Sequence, residues 1–156
     1  MKVLSTFGTR PEAIKMAPVL TELSRFAGAV ESRVCVTAQH REMLDQVLDV
    51  FGVVPDVDLD VMKDDQAPWQ VVAAVLAGLD RVLAAEAPDL VLVHGDTTTT
   101  MAASLAAFYR KIPVGHVEAG LRTHDMRYPF PEEMNRVVAD DLAAFHFAPT
   151  AGAREN

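Results

Sequence analysis

The stretch Val91-Leu-Val-His-Gly-Asp-Thr-Thr-Thr-Thr-Met101 decides the fold. An apolar run stops at His94-Gly95-Asp96, and four threonines lead into an apolar-periodic segment. Such a run, bounded by a glycine turn, reads as a buried strand, a tight turn and a helix start. Asp96 then stands at the carboxyl end of a strand, where open α/β sheets hold their ligands. Taken alone, an aspartate before a threonine run reads as the helix N-cap.

The same grammar repeats on both sides. Lys2 to Phe7 is a short apolar run followed by Gly8-Thr9-Arg10-Pro11, with Pro11 suited to the first helical position and Thr9 or Arg10 to the cap. Ile14, Ala17, Leu20 and Leu23 recur at helical spacing as far as Gly28. Ser32 to Ala38 reads as a second strand ending in Gln39-His40, and Met43, Leu44, Val47, Leu48 and Phe51 as a helical face closed by Gly52. Val53 to Met62 has room for a short strand. Pro68 and Trp69 open a third helix with Val72, Val75, Leu76, Leu79, Val82 and Leu83 on one stripe, and Pro88 ends it. Beyond the opening stretch, Met101, Ala102, Leu105, Ala106 and Tyr109 form a fourth helical face, and Pro113 to Val117 a strand ending in Glu118-Ala-Gly120. A polar and aromatic loop from Leu121 to Phe130 precedes a helix start at Pro131-Glu132-Glu133, and Ala143 to Ala148 reads as a last strand. Strand and helix alternating over short connections call for an α/β fold, a Rossmann-like doubly wound parallel sheet. Pro149-Thr150 looks like a cap with only six residues behind it, so the end reads equally as a frayed tail or as a cut before the next element.

Composition bounds the rest. The 156 residues are 50% hydrophobic and 23% charged, the profile of one globular domain able to bury roughly two-thirds of its unfolded surface. A formal charge of −8 argues against nucleic acid or an anionic membrane as partner, so a phosphate ligand needs a local basic cluster. The single cysteine, Cys35, excludes a disulfide framework and a cysteine-based zinc site. No segment reads as a signal or as a spanning helix of roughly 18 apolar residues, and the chain is expected to be soluble and cytoplasmic.

Four strand ends carry polar or flexible residues: Gly8-Thr9-Arg10, Gln39-His40, His94-Gly95-Asp96 and Val117-Glu118. A parallel sheet brings all four to one edge. There is no GxGxxG or P-loop, but a strand-to-helix turn with free N–H groups beside Arg10 and Lys15 suits a phosphate. Plain structural readings stand beside these: Arg10 pairing with a surface carboxylate, Lys15 solvated, Glu132 and Arg136 forming an i,i+4 ion pair. His40, His94, His116, His124 and His146 have no metal-ligand spacing, so each reads as structural and no metal is expected. Glu118, at a strand end before Ala-Gly with no helix to cap, is harder to explain as structure. Several carboxylates converging with two cations suggest acid–base work on a phosphate-bearing substrate, and name no reaction.

At these residues the chain resembles the non-hydrolysing UDP-N-acetylglucosamine 2-epimerases. The blocks are Gly8-Thr-Arg-Pro-Glu-Ala-Ile-Lys-Met-Ala-Pro18, Gln39-His-Arg-Glu-Met-Leu-Asp-Gln46, His94-Gly-Asp-Thr-Thr-Thr-Thr100, Gly115-His-Val-Glu-Ala-Gly-Leu-Arg122 and Pro131-Glu-Glu-Met-Asn-Arg136, in the family's order. The resemblance implies two Rossmann-like domains of the glycosyltransferase-B type with the site between them. Residues 1–156 would be the N-terminal one, and the C-terminal UDP-binding domain would be missing or supplied by a second polypeptide. It implies interconversion of UDP-GlcNAc and UDP-ManNAc with no cofactor, by anti elimination of UDP to 2-acetamidoglucal and re-addition, and a tendency to form a homodimer. By position it implies Asp96, Glu118, Glu132 and Lys15 as catalytic, Arg10, His116 and Arg136 as substrate-binding, and an activator site near Gln39 and His40. Glu42 and Asp65 stand where some relatives have Gln and Arg, adding negative charge that argues against that activation. His124 replaces a residue usually small or polar, with a consequence for cleft closure. A non-catalytic binding module, or a glycosyltransferase of the same architecture, remains open as an alternative.

Overall fold

Side chains along β1 (Lys2–Phe7) alternate between two cores, as the two-residue period of a strand requires. Val3 and Phe7 pack with α1 (Arg10–Arg25) and α2 (Arg41–Phe51), whereas Leu4 packs on the opposite face. This computed structural model describes residues 1–37, 41–61 and 65–156, with the backbone alone at 41 and 42. After β2 (Glu31–Val36) and the short β3 (Val57–Asp58), the chain crosses through α3 (Pro68–Glu86) to β4 (Leu90–His94). It continues through α4 (Thr98–Tyr109), β5 (Val114–Val117), α5 (Glu132–Leu142), β6 (Phe145–Phe147) and α6 (Ala151–Glu155).

The strands form one sheet in the order β3-β2-β1-β4-β5-β6, every pairing parallel. This is the doubly wound order expected, and its switch point lies between β1 and β4. β4 is buried on both faces: Val91 and Val93 join the core under α3 and α4, and Leu92 joins that under α1 and α2. α4 sits between α3 and α5 and is buried on nearly every side.

Several expectations shift. α1 ends at Arg25, before Gly28, in a turn through Ala29, and Arg10 takes the first helical position ahead of Pro11. Asp96 is not the N-cap of α4. That position is Thr97, whose hydroxyl accepts the Thr100 N–H, because the Asp96 carboxylate is drawn aside to Arg136. Contrary to the sequence reading, α3 is long and apolar enough to cross a membrane by length and composition. Its stripe of Val71, Val75, Leu79, Val82 and Leu83 lies in the protein core, as in a central helix of an α/β domain. Cys35 is fully buried, which pushes its thiol up to about 12.

Two buried carboxylates tie the loops at the carboxyl edge. Glu12, 2% exposed, accepts from the Gly8 and Thr9 N–H groups (2.9 and 2.7 Å) through one oxygen and from the Thr97 hydroxyl (2.7 Å) through the other, with the Thr100 hydroxyl 3.3 Å away. The N–H contacts are the N3 half of a capping box, and the hydroxyl contacts cross the switch point to α4. Burial raises the Glu12 carboxyl above its ordinary range, with the hydrogen bonds opposing. Overhead, Thr37 and Thr99 hydroxyls meet at 2.8 Å, and a Cβ on Gly8 would stand 2.1 Å from the first. Only glycine fits there.

Glu133, 0% exposed, anchors the loop from Leu121 to Phe130 by accepting from Arg122 Nε and from the Thr123 and His124 N–H groups. Burial works against its charge, but these donors prevail and hold the carboxyl down to about 2.

Glu12→Ala leaves the Gly8 and Thr9 N–H groups without their acceptor and is expected to cost roughly 2–4 kcal/mol by urea denaturation. Glu12→Gln keeps an acceptor for the N–H pair and a donor to Thr97, and should cost less than half as much. The Glu133 anchor contributes fully above its ordinary 4.5 and is lost as pH falls through about 2. Thr123 and His124 amide shifts should therefore hold steady on acidification to pH 4 and move below about pH 3.

Candidate active site

Three strand-to-helix or strand-to-loop turns meet at the switch point, and each delivers one charged group. α1 brings Lys15, the turn after β4 brings Asp96, and the end of β5 brings Glu118. With Gly95, Leu121 and Arg136 they line one cavity of about 140 Å³. A wider hollow of about 550 Å³ at the far end of α4, lined by Phe108, Tyr109, Ile112, Pro113 and Leu142, offers Lys111 as its one charged group.

Glu118 has φ +67°, in the left-handed region that a non-glycine residue adopts at a cost. Its N–H and that of Ala119 both donate to the Phe147 carbonyl, so β6 holds the strained turn. Its carboxylate meets Lys15 Nζ at 2.5 and 2.7 Å and His94 Nε2 at 3.0 Å. Lys15 is thus paired, not simply solvated. Arg10 is exposed with no partner among the described residues, so the surface ion pair anticipated for it is not formed.

Asp96 is held from α5. Arg136 donates to Asp96 Oδ2 at 2.5 Å and to the Leu121 carbonyl at 2.9 Å, while Asn135 Nδ2 donates to the Asp96 carbonyl at 3.0 Å. Asp96 Oδ1 has no partner among the described residues. The Arg136 side chain therefore bridges this carboxylate and the loop, and its partners are Asp96 and Glu133 (3.5 Å), not Glu132. The i,i+4 pair read from the sequence is replaced because Arg136 points across to β4. Glu132 is half-buried and without a partner among the described residues, next to the fully engaged Glu133.

His116, expected to contact substrate, is 0% exposed and does not line this cavity. Its Nδ1 lies 2.6 Å from Asp140 Oδ1 and its Nε2 2.6 Å from the Gly95 carbonyl, so each ring nitrogen faces an oxygen acceptor. Burial opposes the charge on Asp140, but His116 and the Gly120 N–H hold its carboxyl below the usual range. His116 thus pins the glycine turn before Asp96. The expected activator segment at Gln39 and His40, and the Glu42 side chain, lie outside the described residues. Asp65 is exposed at φ +57°. Among the described residues, no group of three His, Cys, Asp or Glu side chains is placed to hold a metal.

Sequence reading missed Glu12, Glu133 and His94. A capping-box glutamate three residues after Thr9 was a signal available for Glu12. For the other two the sequence holds none, since their roles depend on partners in other elements. Together the site offers two carboxylates lining one cavity, Asp96 with one oxygen unengaged among the described residues, and cations at Lys15 and Arg136. Such a set can exchange protons with a ligand and pair with an anionic group; Arg10 is not among the residues lining this cavity.

Residues 22–156 match the profile of the UDP-N-acetylglucosamine 2-epimerase family. The UDP-N-acetylglucosamine 2-epimerase of Yersinia pestis is 60% identical over 156 residues, covering 100% of this chain and 41% of its own. The crystal structure of the Neisseria meningitidis UDP-GlcNAc 2-epimerase bound to UDP-GlcNAc is 57% identical with a TM-score of 0.95, covering 100% of this chain and 42% of its own. Acinetobacter baumannii MurG, 16% identical with a TM-score of 0.63 over 93% of this chain and 40% of its own, shares the fold alone. The chain thus spans about two-fifths of the length of the curated relatives it matches, in the Rossmann-like first-domain architecture of the glycosyltransferase-B type. By profile, sequence identity and superposition together, it belongs to the UDP-N-acetylglucosamine 2-epimerase family.

Proposed function

We propose that these residues form the N-terminal half-site of an enzyme interconverting UDP-GlcNAc and UDP-ManNAc. The observation that carries the reading is that Asp96 and Glu118, delivered by different strand ends, line one cavity together with Lys15 and Arg136. Inverting a C2 centre needs proton transfer on both sugar faces, which one carboxylate cannot reach. The C2 proton is not adjacent to a carbonyl, so a carboxylate cannot remove it from the intact sugar. As the C1–O bond breaks and UDP leaves with the electron pair, positive charge developing at C1 acidifies C2–H. A carboxylate then takes the proton, giving 2-acetamidoglucal. Re-addition of UDP at C1, with a proton delivered to the opposite face of C2, yields the epimer.

In this reading Asp96 and Glu118 are the acid–base carboxylates, with Glu132, unengaged at the start of α5, as a third. Arg10 and Lys15 draw the diphosphate and stabilise its departing charge. Lys15 is held by Glu118 when no anion is present, so an arriving diphosphate competes for it and frees a carboxylate oxygen facing the sugar. Arg136 holds Asp96 in line and couples it to the loop from Leu121. The uridine contacts belong to the further domain that full-length relatives have, which makes the substrate span two domains.

Three expected outcomes test this. The 156-residue chain alone should show negligible turnover in a coupled assay for UDP-ManNAc. The full-length polypeptide carrying it should incorporate solvent deuterium at C2 in D2O, which a glycosyltransferase of the same architecture would not do. In that polypeptide, Asp96→Asn and Glu118→Gln should each lower turnover by about 100-fold or more. Near-normal turnover in both variants removes the two carboxylates from the mechanism.

A further inference from the structure

His94 is the last residue of β4 and was read from the sequence as an ordinary core histidine. At 3% exposure it is as buried as one. Its polar contacts are not those of a packing residue. Nε2 lies 3.0 Å from Glu118 Oε2, while Nδ1 is buried with no partner among the described residues. An unpaired polar atom in the interior is a standing cost that phenylalanine or leucine would avoid. What the imidazole adds over those residues is a ring nitrogen 3.0 Å from the Glu118 carboxylate.

We infer that His94 is a positioning residue for Glu118, a neutral imidazole whose Nε2–H holds the carboxylate in one orientation toward the cavity. The inference deepens the proposed role of Glu118 as an acid–base carboxylate and rests on that reading.

The groups facing the ring decide its protonation. Glu118 at the end of β5 favours a charged ring; Lys15 from α1 and His116 from β5 oppose it, and burial opposes it most. Burial prevails, pushing His94 down to about 4. A neutral ring that donates from Nε2 must leave Nδ1 bare, and the bare nitrogen is the one the structure leaves unpartnered. The 3.0 Å approach to Glu118 and the burial thus favour the same tautomer.

The ring is also held rigidly. The His94 carbonyl accepts the Thr100 hydroxyl, the Gly95 N–H donates to the Val117 carbonyl, and His94 pairs in register with Val117. Lys15, the other partner of Glu118, is 51% exposed on a flexible stem. A diphosphate that draws Lys15 away leaves His94 as the donor still fixing Glu118. That is when orientation matters most.

The test uses the full-length polypeptide carrying residues 1–156. His94→Leu should lower kcat by about 100-fold with KM within roughly threefold, the mark of an interaction needed in the transition state rather than for binding. His94→Gln, which keeps an N–H donor at similar reach, should recover most of the loss. Long-range 15N correlation of the imidazoles should show His94 as the neutral Nε2–H tautomer with no titration between about pH 5.5 and 8.5, its Nε2 shift moving in Glu118→Gln. Wild-type kcat in His94→Leu, a titrating ring, an Nδ1–H tautomer, or an Nε2 shift indifferent to Glu118→Gln each overturns the inference. If His94→Leu fails to fold by circular dichroism, His94→Gln and the 15N spectra decide. An inactive wild-type polypeptide would instead refute the proposed function, with the tautomer and its response to Glu118→Gln still deciding whether His94 holds the carboxylate.

Discussion

The Glu12 carboxylate is the constraint on which the site depends. It is buried between two strand-to-helix turns that are neighbours only in space, after β1 and after β4, and accepts hydrogen bonds from both. The switch point of a doubly wound sheet is a crevice by topology, since the chains leaving β1 and β4 diverge to opposite faces. Left to itself, the crevice would expose the first N–H groups of α1 on one side and a run of poor helix formers on the other. One carboxylate satisfies both walls and fixes the distance between Lys15 on α1 and Asp96 before α4. The cost is a buried acid shifted toward its neutral form, which the surrounding donors limit.

The same logic recurs along the edge. Glu133 gathers a loop by its backbone N–H groups, His116 with Asp140 pins the glycine turn before Asp96, and His94 meets Glu118 from the neighbouring strand. The residues most exposed to the cavity, Lys15, Asp96 and Glu118, are each held by a residue less exposed than themselves, apart from the mutual pair of Lys15 and Glu118. Orientation is thus set by rigid neighbours in sheet and helix, while charge is presented by side chains free to exchange partners. A site arranged this way can trade an internal ion pair for a ligand's phosphate without moving its backbone.

Much of this was legible in the chain, and the boundary is physical. Strand and helix periodicity, the turn glycines and the apolar run at β4 follow from local rules, so element order and the convergence of polar strand ends could be read directly. What misled were choices between adjacent residues. Asp96 reads as a cap, yet Thr97 caps because Arg136, forty residues away, claims the aspartate. Of the pair Glu132-Glu133, the second turns inward because Arg122 and two loop N–H groups lie there. His116 and His94 are alike in sequence terms, both in apolar strands, and differ in partner: His116 meets Asp140 from α5, and His94 meets Glu118 at the end of the neighbouring strand.

The amino-acid sequence by itself determined the alternation of strand and helix, the parallel doubly wound class and the edge at which chemistry is possible, because those rest on side-chain period and turn chemistry within a few residues. The tertiary structure alone decided which carboxylate is buried as a strut, which is left facing the cavity and which histidine donates to it. Those outcomes depend on partners brought together from distant segments, where burial and a second hydrogen-bonding group decide the charge and orientation that no local rule contains.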